Sequence, residues 1–171
     1  MPQRIFLVGP MGAGKTTVGR QLARLLNFAF IDLDAEIESR CGADIQWIFD
    51  VEGEAGFRAR ESSILSEVAT LDNIVIATGG GVVIRPENRD LLKKSGTVIY
   101  LAIPPEALYR RTLRDTKRPL LQVQDRRALI ERLVREREPL YREVADIIYD
   151  GINTTPHASA NALRSLIQAS G

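Results

Sequence analysis

"GPMGAGKT", residues 9–16, sits between an apolar run, "RIFLV" at 4–8, and an amphipathic run, "KTTVGRQLARLL" at 15–26. It satisfies G-x-x-x-x-G-K-[ST], with Gly9, Gly14, Lys15 and Thr16 in the fixed positions. Glycines let the backbone curl until successive N–H groups face inward, and a following helix adds the positive end of its dipole. The alternative is a glycine-rich turn without a ligand. Two glycines, a lysine and a hydroxyl at this spacing arise by chance in roughly one chain of this length in a hundred, given average residue usage. A strand before the loop and a helix after it make chance rarer still. The reading is a nucleoside triphosphate held by Gly12, Ala13, Gly14, Lys15, Thr16 and Thr17. Lys15 bridges the β- and γ-phosphates and Thr16 supplies a ligand to Mg²⁺.

Outward from the loop, short apolar runs alternate with helical patterns. Residues 4–8, 28–33, 73–78, 97–102 and 145–150 read as strands, and several lack the apolar–polar alternation of a half-exposed sheet. Helical spacing marks 15–26, 54–71, 125–141 and 156–169. This alternation predicts an α/β fold, a parallel sheet with helices on both faces. With 171 residues and no linker or repeat, a single domain over 1–171 is expected. The stretch "RDTKRPLLQVQDRR" at 114–127 is charged, broken by Pro119 and aperiodic, which predicts a mobile lid over about 112–125.

Bulk properties exclude several classes. A formal net charge of +1 offers no global field for nucleic acid or an anionic membrane. No apolar run approaches the roughly 18 residues of a membrane span, and "IFLV" is too short for a secretion signal. A single cysteine, Cys41, excludes an internal disulfide. A cytoplasmic enzyme with small-molecule substrates is expected.

The chain lacks the Asn-Lys-x-Asp that reads guanine, so ATP is favoured over GTP. The strand "NIVIAT" ends in "GGG" rather than an acid, so the acid must come from "FIDLD", at the end of the second strand. Asp32 is assigned to the magnesium side and Asp34 to the acceptor side; one of the two could instead cap the helix that follows. Arg58 lies three residues before Glu61, a spacing that lets the acid hold the guanidinium. Arg137 precedes "EPLY", where Pro139 is expected to end or turn the helix beside it. Paired arginines suit a planar carboxylate, although each alone reads more readily as a surface ion pair. Gly79, Gly80 and Gly81 imply close backbone approach to a ligand. Phe49 and Phe57 read as core residues.

Together, "GPMGAGKTTVGRQLA", "FIDLD", "IFDVEGEAGFRARES", "ATGGGVV", "RP" at 118–119 and "REPLY" at 137–141 resemble the shikimate kinase family across nearly the whole chain. The resemblance implies a P-loop nucleoside monophosphate kinase-like three-layer sandwich with a five-stranded parallel sheet. It also implies ATP-dependent phosphorylation of the shikimate 3-hydroxyl, with one Mg²⁺ per site. It assigns a substrate-binding segment at about 33–61, with Phe49 and Phe57 as pocket walls and Gly79, Gly80 and Gly81 against the ring. Arg58 and Arg137 take the carboxylate, Arg111 and Pro156 contact adenine, and Arg118 from the lid joins Lys15 and Asp34 in catalysis. A monomer needs no partner to complete such a site. Two other readings are a kinase of the same fold with another acceptor, such as gluconate or a nucleoside monophosphate, and an ATP-binding protein without catalysis.

Overall fold

The computed structural model describes residues 3–113 and 124–170. Five strands form one sheet: β1 (Arg4–Val8), β2 (Ala29–Asp32), β3 (Ile74–Ala77), β4 (Thr97–Leu101) and β5 (Ile147–Tyr149). Every pairing is parallel, in the order β2-β3-β1-β4-β5. The helices are α1 (Lys15–Leu26), α2 (Leu33–Cys41), α3 (Ile45–Val68), α4 (Pro86–Ser95), α5 (Pro105–Thr112), α6 (Arg126–Val144) and α7 (Pro156–Ser170). This is the three-layer α/β sandwich of P-loop nucleoside monophosphate kinases.

Each strand sends alternate side chains to opposite faces. Phe6, Val8, Ile74, Ile76, Val98 and Tyr100 join Leu33, Ile37, Leu65 and Leu92 in one core. Ile5, Leu7, Val75, Ile99 and Leu101 join Leu22, Leu108 and Leu163 in the other. Both faces are covered, which is why β3 is buried at every position. The edge strands β2 and β5 are only partly buried: in β2 Ile31 and Phe30 reach opposite cores, whereas in β5 Ile147 and Tyr149 share one and Ile148 is exposed.

Local chemistry sets the helix boundaries. Asp32, Asp44 and Asp125 cap α2, α3 and α6, each accepting a backbone N–H three residues on. Pro86 and Pro105 open α4 and α5, where a missing N–H costs nothing. The helical spacing at 54–71 picks out only the second limb of α3. Gly53, at φ 75° and ψ 176°, breaks the helix inside the segment, and the first limb packs into the same core through Ile48.

One expectation is corrected. Pro139 does not end the helix beside Arg137; α6 runs through it to Val144. Ile130 and Val134 belong to one core, and Tyr141 and Val144 to the other. Anchorage on both sides of the proline outweighs the roughly 3 kcal/mol that an interior proline costs.

Leu22 is fully buried between α1 and the sheet. Leu22→Ala should lower unfolding free energy by about 2–5 kcal/mol, measured by urea denaturation.

Candidate active site

In a parallel sheet the carboxyl ends of the strands collect ligands. The phosphate loop follows β1, Asp32 ends β2 with Asp34 just beyond it, and the three glycines follow β3. Because β3 lies between β1 and β2, these segments emerge side by side.

Within the loop, Gly12 and Gly14 take φ of 83° and 96°, values that favour glycine. The Lys15 ammonium donates to the carbonyls of Gly9 and Pro10, the latter at 3.1 Å. The Thr16 hydroxyl donates to Asp32 Oδ2 at 2.6 Å, while Asp32 Oδ1 caps α2. Asp32 therefore caps α2 with one oxygen and meets the phosphate loop with the other. A hydroxyl beside a carboxylate suits a hard divalent cation. Among the described residues no group of three or more His, Cys, Asp or Glu could hold a metal. A cation here would take its remaining ligands from water and phosphate, the habit of Mg²⁺.

Two clefts flank the loop. The first, about 770 Å³ and open to solvent, is lined by Gly12, Ala13, Gly14, Thr17, Arg111 and Pro156 among others. Arg111 Nη1 donates to the carbonyls of Gly12 and Ala13 at 3.2 and 3.3 Å, so it braces the loop as well as lining the cleft. Leu101, Ile103, Tyr149, Gly151 and Thr154 also line it, and sequence reasoning missed them. They lie at and beyond the carboxyl ends of β4 and β5, where the rule that located Asp34 would also have pointed.

The second cleft, about 440 Å³, brings together Asp34, Arg58, Gly79, Gly80, Gly81 and Arg137. Ile45, Phe49 and Phe57 wall it, from the segment between α2 and the middle of α3. Met11 of the phosphate loop also lines it, so the loop is a wall shared by both clefts. Met11 and the wall residue Ile45 were not foreseen. Arg118 lies outside the described residues, as does most of the expected lid.

The second cleft carries two carboxylates and two guanidinium groups; Asp34 is half-buried and the other three are all but removed from water. Arg58 and Arg137 are each 7% exposed and Glu61 is 0%. Arg58 Nη1 bonds Glu61 Oε1 at 2.9 Å, and its Nη2 reaches Glu54 Oε1 at 3.5 Å. Among the described residues, Glu61 Oε2 and Arg58 Nε have no hydrogen-bond partner.

None of the three glycines has a positive φ. At Gly79 and Gly81 the need is space. A Cβ on Gly79 would stand 2.8 Å from Asp34 Oδ1 and 3.0 Å from Glu61 Oε2, and one on Gly81 would collide with the Arg58 guanidinium. One on Gly80 would lie 3.6 Å from Arg137 Nη1 and 3.4 Å from the Met11 nitrogen. The glycine turn is thus the floor on which the charged side chains rest.

A family model described as "Shikimate kinase" matches residues 11–168. The chain belongs to the shikimate kinase family. It is 54% identical over 168 residues to a shikimate kinase of Halorhodospira halophila, covering 98% of this chain and 93% of that protein. A shikimate kinase of Histophilus somni is 55% identical over 166 residues, covering 96% and 95%. The solved structure of a shikimate kinase from Acinetobacter baumannii in complex with shikimate superposes with a TM-score of 0.97 at 46% identity, covering 99% of this chain and 95% of that one. Membership makes this kinase an ATP-dependent transferase. None of its described helices is long and apolar enough to cross a membrane.

Burial holds the Glu61 carboxyl above its ordinary value of 4.5, against the pull of Arg58, with nearby Asp34 pushing it further up. The folded state therefore binds more protons than the unfolded one between these two values. The resulting stability is complete below pH 4.5 and is lost as pH rises through the folded value. Glu61→Gln cannot titrate. The stability of wild type relative to this variant should fall as pH rises from 4.5, read from thermal melts; a flat difference would contradict it.

Proposed function

We propose that this chain transfers the γ-phosphoryl group of ATP to the 3-hydroxyl of shikimate, giving shikimate 3-phosphate and ADP. One observation carries the reading: Asp34, Arg58 and Arg137 line a single cleft that shares the phosphate loop as a wall with a second, larger cleft. An acceptor bound among Asp34, Arg58 and Arg137 and a nucleotide bound in the larger cleft meet at that wall. The complex of the Acinetobacter baumannii relative supports the choice of acceptor.

Each group has a role its surroundings support. Arg58, aligned by Glu61, and Arg137 take the acceptor carboxylate, because a planar fork matches two oxygens. Gly79, Gly80 and Gly81 let the ring settle close to backbone. Asp34 orients the acceptor hydroxyl and takes up its proton as attack proceeds. Gly12 to Thr17 cradle the phosphates, with Arg111 and Pro156 beside the nucleotide. Lys15 turns from the Gly9 and Pro10 carbonyls to the phosphates, and with Arg118 it stabilises charge on the transferring group. Thr16 and Asp32 would hold Mg²⁺, which when bound neutralises charge between the β- and γ-phosphates. All these groups come from one chain, which supports a monomeric enzyme with a single domain over 1–171, and membership of a biosynthetic kinase family supports a cytoplasmic place of work.

A coupled assay of ADP release with shikimate and Mg-ATP should give turnover that depends on shikimate; its absence overturns the proposal. Arg58→Ala should raise KM for shikimate about 10- to 100-fold, the worth of one or two charge-assisted hydrogen bonds, with KM for ATP nearly unchanged. Equal loss for both substrates would mark Arg58 as structural only. Asp34→Asn should lower kcat by about 10²- to 10⁴-fold while circular dichroism and Tm stay near wild type. A wild-type rate would remove Asp34 from the chemistry.

A further inference from the structure

Tyr141 is among the largest fully buried side chains of the protein, and the proposed reaction leaves it unused. It stands on α6 four residues after Arg137, so the two share a helix face. Its ring stacks on Tyr100 of β4, with centroids 5.1 Å apart and planes at 28°. Its hydroxyl donates to the Gly80 carbonyl at 2.5 Å. Burial pushes the phenol far above its ordinary titration range, against the pull of the Arg137 guanidinium beside it, so it stays a donor at any working pH.

The Gly80 carbonyl is half of a trans peptide whose other half is the Gly81 N–H, and the two point in opposite directions. Holding the carbonyl on Tyr141 therefore turns the Gly81 N–H away from Tyr141. The ladder between strands does not set this orientation. Residues 79–84 form tight turns, closed by Val82 N–H to the Gly79 carbonyl at 3.2 Å and Ile84 N–H to the Gly81 carbonyl at 3.1 Å. The later carbonyls are held from α4: Asn88 donates to Val82 at 3.0 Å, and Arg89 donates to Val83 and Ile84 at 2.8 and 3.0 Å. Of these side chains, Tyr141 is the one that ties the glycine turn to the helix bearing Arg137.

We propose that Tyr141 is a positioning residue for the acceptor, its hydroxyl setting the Gly80–Gly81 peptide in register with Arg137 so that backbone and guanidinium grip one ring together. This rests on reading the cleft as the acceptor site. Loss of such positioning is expensive, since displacement of a bound group by about 1 Å can cost a hundredfold in rate.

Tyr141→Phe keeps the ring and its stack and removes only the hydroxyl. It should raise KM for shikimate about tenfold, with KM for ATP within about twofold of wild type. Tyr100→Phe, which leaves the tether intact, should change neither constant. Unaltered kinetics in Tyr141→Phe, parallel losses for both substrates with a lowered Tm, or the same acceptor defect in Tyr100→Phe would each overturn the inference. Should Tyr141→Phe fail to fold, the wild-type protein still decides: shikimate alone should shift the Tyr141 hydroxyl proton resonance, and no shift overturns the role. Wild-type turnover is measured first. Without it the acceptor reading itself fails, whereas turnover with an unaffected Tyr141→Phe removes only Tyr141.

Discussion

β3 is held between β1 and β2 in parallel register, with Phe6 beside Ile76 and Ile76 beside Ile31. That register delivers the glycine turn to the same level as the phosphate loop and the two aspartates, and every polar group in the second cleft is placed relative to it. Parallel strands cannot be joined by short hairpins, so each returns through a helix on one face or the other. α3 and α6 bring Arg58, Glu61 and Arg137 onto the glycine turn as part of that return. The cleft is a by-product of covering the sheet.

Burying Arg58 with Glu61 is weak evidence for stability, because taking both charges out of water costs several kcal/mol for each. What the pair supplies is direction. With Glu61 at 0% exposure and bonded at 2.9 Å, the guanidinium cannot swing out to solvent without stranding a carboxylate. The ring of Phe57 lies under it, 5.2 Å from its centre, and limits the remaining freedom. Two acids thus stand against two guanidinium groups in one cleft.

Much of this was legible in the sequence. The motif at 9–16 and five apolar runs announced the sheet, and "FIDLD" placed its two acids correctly at a strand end. The i,i+3 spacing of Arg58 and Glu61 showed that they could pair, but not that they would be buried together, because burial depends on which strand lies beneath. Short helices escaped notice: α4 and α5 span ten residues or fewer, too few for periodicity to stand out, and the prolines opening them were not taken as start signals. Pro139 misled because its local cost is visible in one dimension, whereas the two cores that overrule it are not. Tyr141 sat in the quoted "REPLY" unread, since nothing in a string of letters links it to a carbonyl 61 positions away.

The way Gly79 and Gly81 are constrained has a bearing on how such a protein can diverge. Their backbone angles would admit other residues; the obstacle is the aspartate and the arginine pressed against them. No relaxation of the main chain can rescue a larger residue there. Room comes from displacing or shortening the opposing side chain, and either change disturbs a group that lines the cleft. A lineage moving by single substitutions meets a barrier at both positions, because either step alone leaves a collision or a missing charge. Paired replacement is the open route, and it leads to a pocket for a different molecule.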